Sequence, residues 1–258
     1  MADVADDSFE PVVNWPHYHL DDGPCQLLIT SPDHRIKIAW AGDDYDVWRI
    51  GASRNPVSEL QWSARINQNT PPELVREFTS ALADEWSEDS DTFLVARSYR
   101  WTDAVQPLLD AGWERKPPSR GIVEIISPDQ LAGASIDVVN TDPHADTYVL
   151  WAGPPGWGTR AEAAFTARTP HYLIAAMATA FVDPNPVIRN KARLNPRLAQ
   201  MAQLTPVPPP RPTPPTPRDI QRQAARRPAV VSNSSVPRWS TSTLPQVGAG
   251  GSLPPRRR

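Results

Sequence analysis

Hydrophobic and polar residues alternate along four stretches in the first seventy residues of the chain. Each stretch is rich in β-branched and aromatic residues, and turn-forming sequences separate one from the next. The four are "QLLIT" (26–30), "RIKIAW" (35–40), "YDVWRIGA" (45–52) and "LQWSARI" (60–66). Alternation with a period of two is typical of half-buried strands, so the pattern predicts a meander of short antiparallel strands.

A helical pattern follows the fourth strand, in "TPPELVREFTSALADE". Apolar residues recur there at intervals of four from Leu74 onward, which places them on one face of a helix. Thr70 precedes Pro71, a residue suited to the first helical position, and Glu73 would complete a Thr-x-x-Glu capping box. We therefore predict a helix that Thr70 caps.

The second half of the chain repeats this order of elements. Its predicted strands are "GIVEIIS" (121–127), "ASIDVVN" (134–140), "TYVLWAG" (147–153) and "AEAAFTA" (161–167). Thr169 and Pro170 then stand where Thr70 and Pro71 stand in the first half, and another apolar stretch follows them. We predict that Thr169 caps a second helix, and an internal duplication accounts for the repeated order.

A Ser-Pro-Asp triplet occurs in both halves, as Ser31-Pro32-Asp33 and again at 127–129. Proline restricts φ, and short Ser and Asp side chains bond nearby backbone N–H groups, so the triplet is typical of a turn after a strand. Catalysis by Ser31 would need a positioned base, and His34 has glutamine as its counterpart in the second copy. We predict two structural turns, no catalytic residue and no enzymatic activity.

Charge divides the chain near residue 190. The first 190 residues hold 14 Lys and Arg against 28 Asp and Glu, whereas the remaining residues hold 12 against 1. That last part also contains 14 of the 31 prolines, and such a composition cannot bury enough surface to offset its chain entropy. The sequence therefore predicts an acidic folded body and a disordered, basic, proline-rich tail over 191–258.

These patterns predict an α+β protein made of two repeated units, each an antiparallel β-meander followed by a helix, with a disordered C-terminal tail. The first unit is assigned to residues 1–100. The second, degenerate unit is assigned to 101–190 and begins with a short helix in "WTDAVQPLLDAGW".

Tryptophans and tail arginines are the candidate binding residues. Nine of the ten tryptophans lie in the body, where core packing accounts for them most simply. The alternative is that Trp48 and Trp62 lie exposed on the sheet and stack against single-stranded nucleic acid, although an acidic body would oppose phosphates. The candidate binding residues of the tail are Arg211, Arg218, Arg222, Arg226 and Arg227, which could contact nucleic acid, an acidic partner or the acidic body of the same chain.

Metal, cofactor and membrane association are not expected. His17, His19, Asp21, Asp22 and Cys25 offer nitrogen, oxygen and sulfur donors, but no second ligand cluster follows them, so we predict a solvated loop. No glycine-rich phosphate-binding motif occurs, and a single cysteine excludes intrachain disulfides. The N-terminal residues lack an apolar signal segment, and we expect a soluble, cytoplasmic protein.

Several of the quoted stretches carry a resemblance to a known family. "TSPDHRIKIAW", "DVWRI", "LQWSARINQNTPPELVREFTSALADE" and "LLDAGW" resemble the SPDY-type domain of unknown function, an actinobacterial family often found in tandem. The resemblance spans residues 16–185, and its second copy departs from the pattern, with Ala161 in place of Trp62 and a position near Tyr148 in place of Trp48. "SPDQLAGA" also aligns with a different, upstream segment of the family.

The resemblance supports the architecture and implies no established activity. We therefore expect a non-enzymatic binding module that engages a protein partner. The alternative is a nucleic-acid-associated protein in which the basic tail contacts phosphates.

Overall fold

A computed structural model describes residues 8–20, 25–42, 45–88, 91–95, 98, 100–154, 160–189, 199–200 and 203–207. Strands β1–β5 are His17–His19, Leu27–Thr30, Ile36–Trp40, Trp48–Ser53 and Leu60–Ile66. Strands β6–β10 are Glu114–Arg115, Ile122–Ile126, Ala132–Asp137, Asp146–Ala152 and Ala161–Thr166. Helices α1, α2 and α3 are Pro72–Ser87, Thr102–Asp110 and His171–Phe181. The predicted α+β class is confirmed.

All ten strands belong to one antiparallel sheet, in the order β1-β2-β3-β4-β5-β10-β9-β8-β7-β6. The chain crosses the sheet from one edge to the centre, leaves through α1 and α2, and then enters again from the opposite edge. β5 and β10 therefore meet in the middle, where Arg65 pairs with Ala164. All eight predicted strands are present, and the short edge strands β1 and β6 were not predicted.

One face of the sheet is buried under the helices. Trp62 of β5 and Phe165 of β10 are fully buried beneath Phe78 of α1, with ring centroids 6.2 Å and 5.7 Å from that phenyl ring. Tyr148 of β9 packs in the same layer against His171 of α3. These aromatic contacts join both halves of the sheet to the helices in a single core.

The predicted threonine caps are wrong. α1 begins at Pro72 with Pro71 at the N-cap position, and no side chain caps the helix. The Thr70 hydroxyl lies instead 3.0 Å from Asn67 Oδ1 and 3.1 Å from the Glu162 carbonyl oxygen, because the preceding turn directs it toward β10. The Glu73 carboxylate does not close a capping box, since its Oε1 atom accepts a hydrogen bond from Arg189.

The second helix begins in the same way. Pro170 is the N-cap residue of α3, and no side-chain hydrogen bond caps that helix either. Thr169 Oγ1 lies 3.4 Å from the Ser63 carbonyl oxygen on β5, so this threonine also faces the sheet. Both Thr-Pro pairs start helices as predicted, but the threonines attach the chain to the opposite central strand.

The predicted tail over 191–258 lies outside the described residues, apart from 199–200 and 203–207. The five candidate arginines of the tail lie outside them as well. Within the described part of the chain, each helix is too short or too polar to cross a bilayer.

Candidate functional site

The first Ser-Pro-Asp triplet forms the turn between β2 and β3. Ser31 Oγ donates a hydrogen bond to Asp33 Oδ1 at 2.5 Å and accepts one from the Ile36 N–H at 2.9 Å. His34 adopts a left-handed conformation with φ of 59°. The Ser31 hydroxyl is fully buried and donates to a carboxylate, so the triplet is a structural turn as predicted.

Arg35 connects this turn to the segment after α1. Its Nε and Nη1 atoms lie 2.6 Å from Asp33 Oδ2 and 2.5 Å from Asp91 Oδ1, and its guanidinium lies 4.8 Å from the centre of the Phe93 ring. Burial tends to raise the pKa of Asp33, but hydrogen bonds from Ser31, Arg35 and Trp86 outweigh it and lower the pKa to about 2. The sequence reasoning missed Arg35, although its position two residues after Asp33 marks it as a salt-bridge partner.

The second triplet forms the same turn between β7 and β8. Ser127 Oγ donates to Asp129 Oδ1 at 2.6 Å and accepts from the Ala132 N–H at 3.0 Å, and Gln130 has a φ of 61°. The hydrogen bond from Ser127 lowers the pKa of Asp129. Leu131 stands where Arg35 stands in the first turn, so this carboxylate lacks the arginine bond that anchors Asp33.

Reciprocal hydrogen bonds join β5 and β10 at the centre of the sheet. Asn67 Oδ1 accepts from the Glu162 N–H at 3.1 Å, and Thr166 Oγ1 accepts from the Ser63 N–H at 3.0 Å. These contacts lie on either side of the Arg65–Ala164 pair. Each central strand therefore presents a side chain that binds the backbone of the other.

The second face of the sheet is not covered by any element in the described part of the chain. One row of side chains on this face runs across nine strands, and each member lies directly opposite the next. In order across the sheet, the row is Tyr18, Leu28, Ala39, Arg49, Arg65, Ala164, Val149, Ser135 and Glu124. We call this surface the open face.

Two arginines lie side by side at the centre of the open face. Arg49 of β4 is directly opposite Arg65 of β5, and both are exposed. Arg65 forms ion pairs with Asp146 and, at 3.7 Å, with Asp46. Like charges directly opposite on neighbouring strands tend to destabilise a sheet, and the carboxylates of Asp46 and Asp146 offset this repulsion at Arg65.

Charge differs between the two halves of the open face. The charged side chains that β3, β4 and β5 point toward it are Lys37, Arg49 and Arg65. Those that β7, β8, β9 and β10 point toward it are Glu124, Asp137, Asp146 and Glu162. Asp46 also lies beside Arg65 in the first half, and Arg160 lies over Trp151 in the second. The first half of this surface therefore has an excess of basic side chains and the second half an excess of acidic ones.

Trp48 and Trp62 lie in the core, as the simpler interpretation of the tryptophans predicted, so the alternative stacking role is wrong. They are 5% and 0% exposed, and they point toward the helices. The Trp62 Nε1–H donates to the Phe93 carbonyl oxygen at 2.7 Å inside the core. Trp151 lies on the open face, where it packs against Gly133 and the Arg160 guanidinium lies 4.0 Å from the centre of its ring.

The Tyr148–His171 pair is the arrangement in the core that most resembles catalytic chemistry. Tyr148 Oη lies 2.9 Å from His171 Nε2. Burial raises the pKa of Tyr148 to about 12 and lowers the pKa of His171. These side chains are 4% and 7% exposed, so a substrate cannot reach them without opening the core.

A small recess and several potential metal-ligating side chains lie elsewhere in the described residues. A recess between α1, α3 and the strands β9 and β10 has a volume of about 10 Å³, about enough for one water molecule. His17 and His19 lie on the exposed edge strand β1, whereas Asp21 and Asp22 lie outside the described residues. The described residues contain no group of three or more His, Cys, Asp or Glu arranged to hold a metal ion.

Comparison with known proteins gives one match. Residues 30–88 match the SPDY domain of unknown function (DUF317). The SPDY match begins at the end of β2 and ends after α1, so it contains the first Ser-Pro-Asp turn and both arginines of the open face. No curated protein and no solved structure matched the chain. The predicted resemblance is thus confirmed over 30–88, and its wider extent stays a prediction.

Proposed function

We propose that this chain is a non-enzymatic binding module and that the open face is its binding surface. The observation that carries the proposal is the exposed pair of Arg49 and Arg65. Both side chains are exposed on a surface that no described element covers, although Asp46 and Asp146 also lie beside Arg65. The positive charge of these arginines would attract a protein partner with acidic groups.

Several features of the body support binding over catalysis. The Ser31 hydroxyl donates to Asp33, and the Tyr148–His171 pair is buried under α3. The recess beside α1 is too small for a metabolite, since ligand pockets are usually several hundred Å³. A broad sheet surface, in contrast, is suited to a macromolecular partner.

We also propose that the two halves of the sheet are copies of one SPDY-type unit. The support is threefold: the mirrored strand order, the two turns with the same internal hydrogen bonds, and the reciprocal contacts between β5 and β10. The turn at Ser127 favours its alignment with Ser31 over the alternative upstream segment. An actinobacterial origin and a cytoplasmic location remain further parts of the proposal.

Capture of partners from a native lysate tests the binding proposal. The full chain and the double variant Arg49→Ala/Arg65→Ala are compared, and we expect the double variant to lose the specifically captured proteins. Arg76→Ala is the matched control because this exposed arginine belongs to α1, on the opposite side of the sheet. Equal capture by the double variant and the wild type would remove the open face as the binding surface.

The second candidate is a nucleic-acid-associated protein. It is favoured by the excess of 12 basic residues over 1 acidic residue after residue 190. Substitution of Arg218, Arg222, Arg226 and Arg227 by Gln in the full chain would then weaken binding to single-stranded DNA and reduce its dependence on salt. Binding that is unchanged in this variant would argue against the tail as the source of affinity.

A further inference from the structure

We infer that the partner of the open face is a second copy of this chain, docked about a two-fold axis that runs parallel to the strands. This inference rests on the proposed binding function of the same surface. It follows from the distribution of charge, the area of the surface and the register of the strands.

Charge is the first argument. A two-fold axis along the β5–β10 junction turns the second copy so that its acidic half lies over the basic half of the first. In a symmetric dimer every contact occurs twice, so the basic half of each copy faces the acidic half of the other. A partner of uniform acidity would match the basic half alone and would meet repulsion from Glu124, Asp137 and Glu162.

The register of the strands determines which charged residues of the two copies face each other. Lys37 lies in the same row as Ser63, two residues from Arg65 along the strand direction. Asp137 lies two residues from Ser135 in the same direction, on β8 at the matching distance from the centre of the sheet. Rotation about the proposed axis therefore places Lys37 of one copy over Asp137 of the other.

Glu162 of the second copy also approaches the two central arginines. Rotation places β5 of one copy over β10 of the other, and β4 over β9. Glu162 of the second copy then lies within one strand spacing and two residues of both Arg49 and Arg65. Its carboxylate thus adds to those of Asp46 and Asp146, which lie beside Arg65 within each copy.

The area of the open face and the size of its side chains suit this arrangement. Ten strands at about 4.8 Å spacing and five residues in length give a face of about 800 Å², which is the area each partner contributes to a standard stable interface. Small residues flank the two central arginines. They include Ala39, Ser63 and Ala164, which let a second sheet approach closely.

Analytical ultracentrifugation of the full chain, over a range of protein concentrations, tests the inference. We expect a reversible monomer–dimer equilibrium. Lys37→Asp should weaken dimerisation about tenfold, because each substitution is present twice at a symmetric interface. Lys37→Asp combined with Asp137→Lys should restore it, since the pair is then reversed and still complementary. Arg76→Glu is the control and should leave the equilibrium unchanged.

Two results would overturn the inference. One is a chain that stays monomeric at every concentration, and the other is a double variant that dimerises no better than Lys37→Asp alone. Circular dichroism establishes that each variant is folded, so that a loss of dimer is read as a loss of the interface. A monomeric wild type that still captures lysate proteins through Arg49 and Arg65 refutes the dimer and leaves the proposed binding function standing.

Discussion

Replacement of Asp33 by asparagine tests the anchoring role of the first Ser-Pro-Asp turn. The variant keeps the shape of the side chain and removes the charge that Arg35, Ser31 and Trp86 stabilise. A pKa lowered from 3.8 to about 2 corresponds to at most about 2.4 kcal/mol. The Asp33 side chain is one-third exposed, so solvent screening reduces this, and we expect a loss of about 1 kcal/mol near neutral pH.

The dependence of this loss on pH is the sharper measurement. The folded pKa of Asp33 lies below the unfolded value, so its contribution to stability is complete above pH 3.8 and is lost as the pH falls toward 2. The difference in unfolding free energy between wild type and Asp33→Asn should therefore shrink in acid. Urea titrations followed by tryptophan fluorescence, from neutral pH down to about pH 3, measure it.

Asp129→Asn is the matched control in the second turn. Asp129 accepts the same bonds from Ser127 and from the Leu131 N–H but has no arginine at the corresponding position, so its replacement should cost less. If Asp33→Asn costs no more than Asp129→Asn, or if the difference is the same in acid as at neutral pH, the assigned role of Arg35 is refuted.

Three further predictions concern the core and the central junction. Trp62→Phe should destabilise the protein by about 2–4 kcal/mol in urea denaturation, because it shortens a fully buried side chain and leaves the Phe93 carbonyl oxygen unpaired; the half-buried Trp101, changed in the same way, should cost less. Thr70→Ala should cost about 1 kcal/mol and Thr70→Ser nearly nothing, because the hydroxyl and not a helix cap provides the contact with β10; equal losses would contradict this. Burial lowers the pKa of His171 in the folded protein, so the unfolded chain takes up the proton first and the wild type should lose stability as the pH falls below 6.5. His171→Gln should abolish this loss. An unchanged pH profile would show that His171 does not titrate on unfolding.

The sequence alone determined the strands β2–β5 and β7–β10, the starts of α1 and α3, and the two Ser-Pro-Asp turns. Each depends on a local pattern: alternation for β3–β5 and β7–β10, the Thr-Pro pairs before α1 and α3, and the turn chemistry of Ser-Pro-Asp. Local patterns are read from neighbouring residues, so they need no knowledge of the rest of the fold. The SPDY resemblance over 30–88 was accessible for the same reason.

Only the tertiary structure decided what those elements do together. By its position in the sequence Thr70 is a suitable helix cap, but in the fold its hydroxyl donates to a carbonyl oxygen of β10 that lies 92 residues further along the chain. Alternation along β4 places the side chains of Arg49 and Trp48 on opposite faces of the sheet. It does not reveal which face the helices cover or that Arg65 lies beside Arg49. Those facts depend on the pairing of β4 with β5 and of β5 with β10, because register between strands brings distant residues together and no local pattern encodes it.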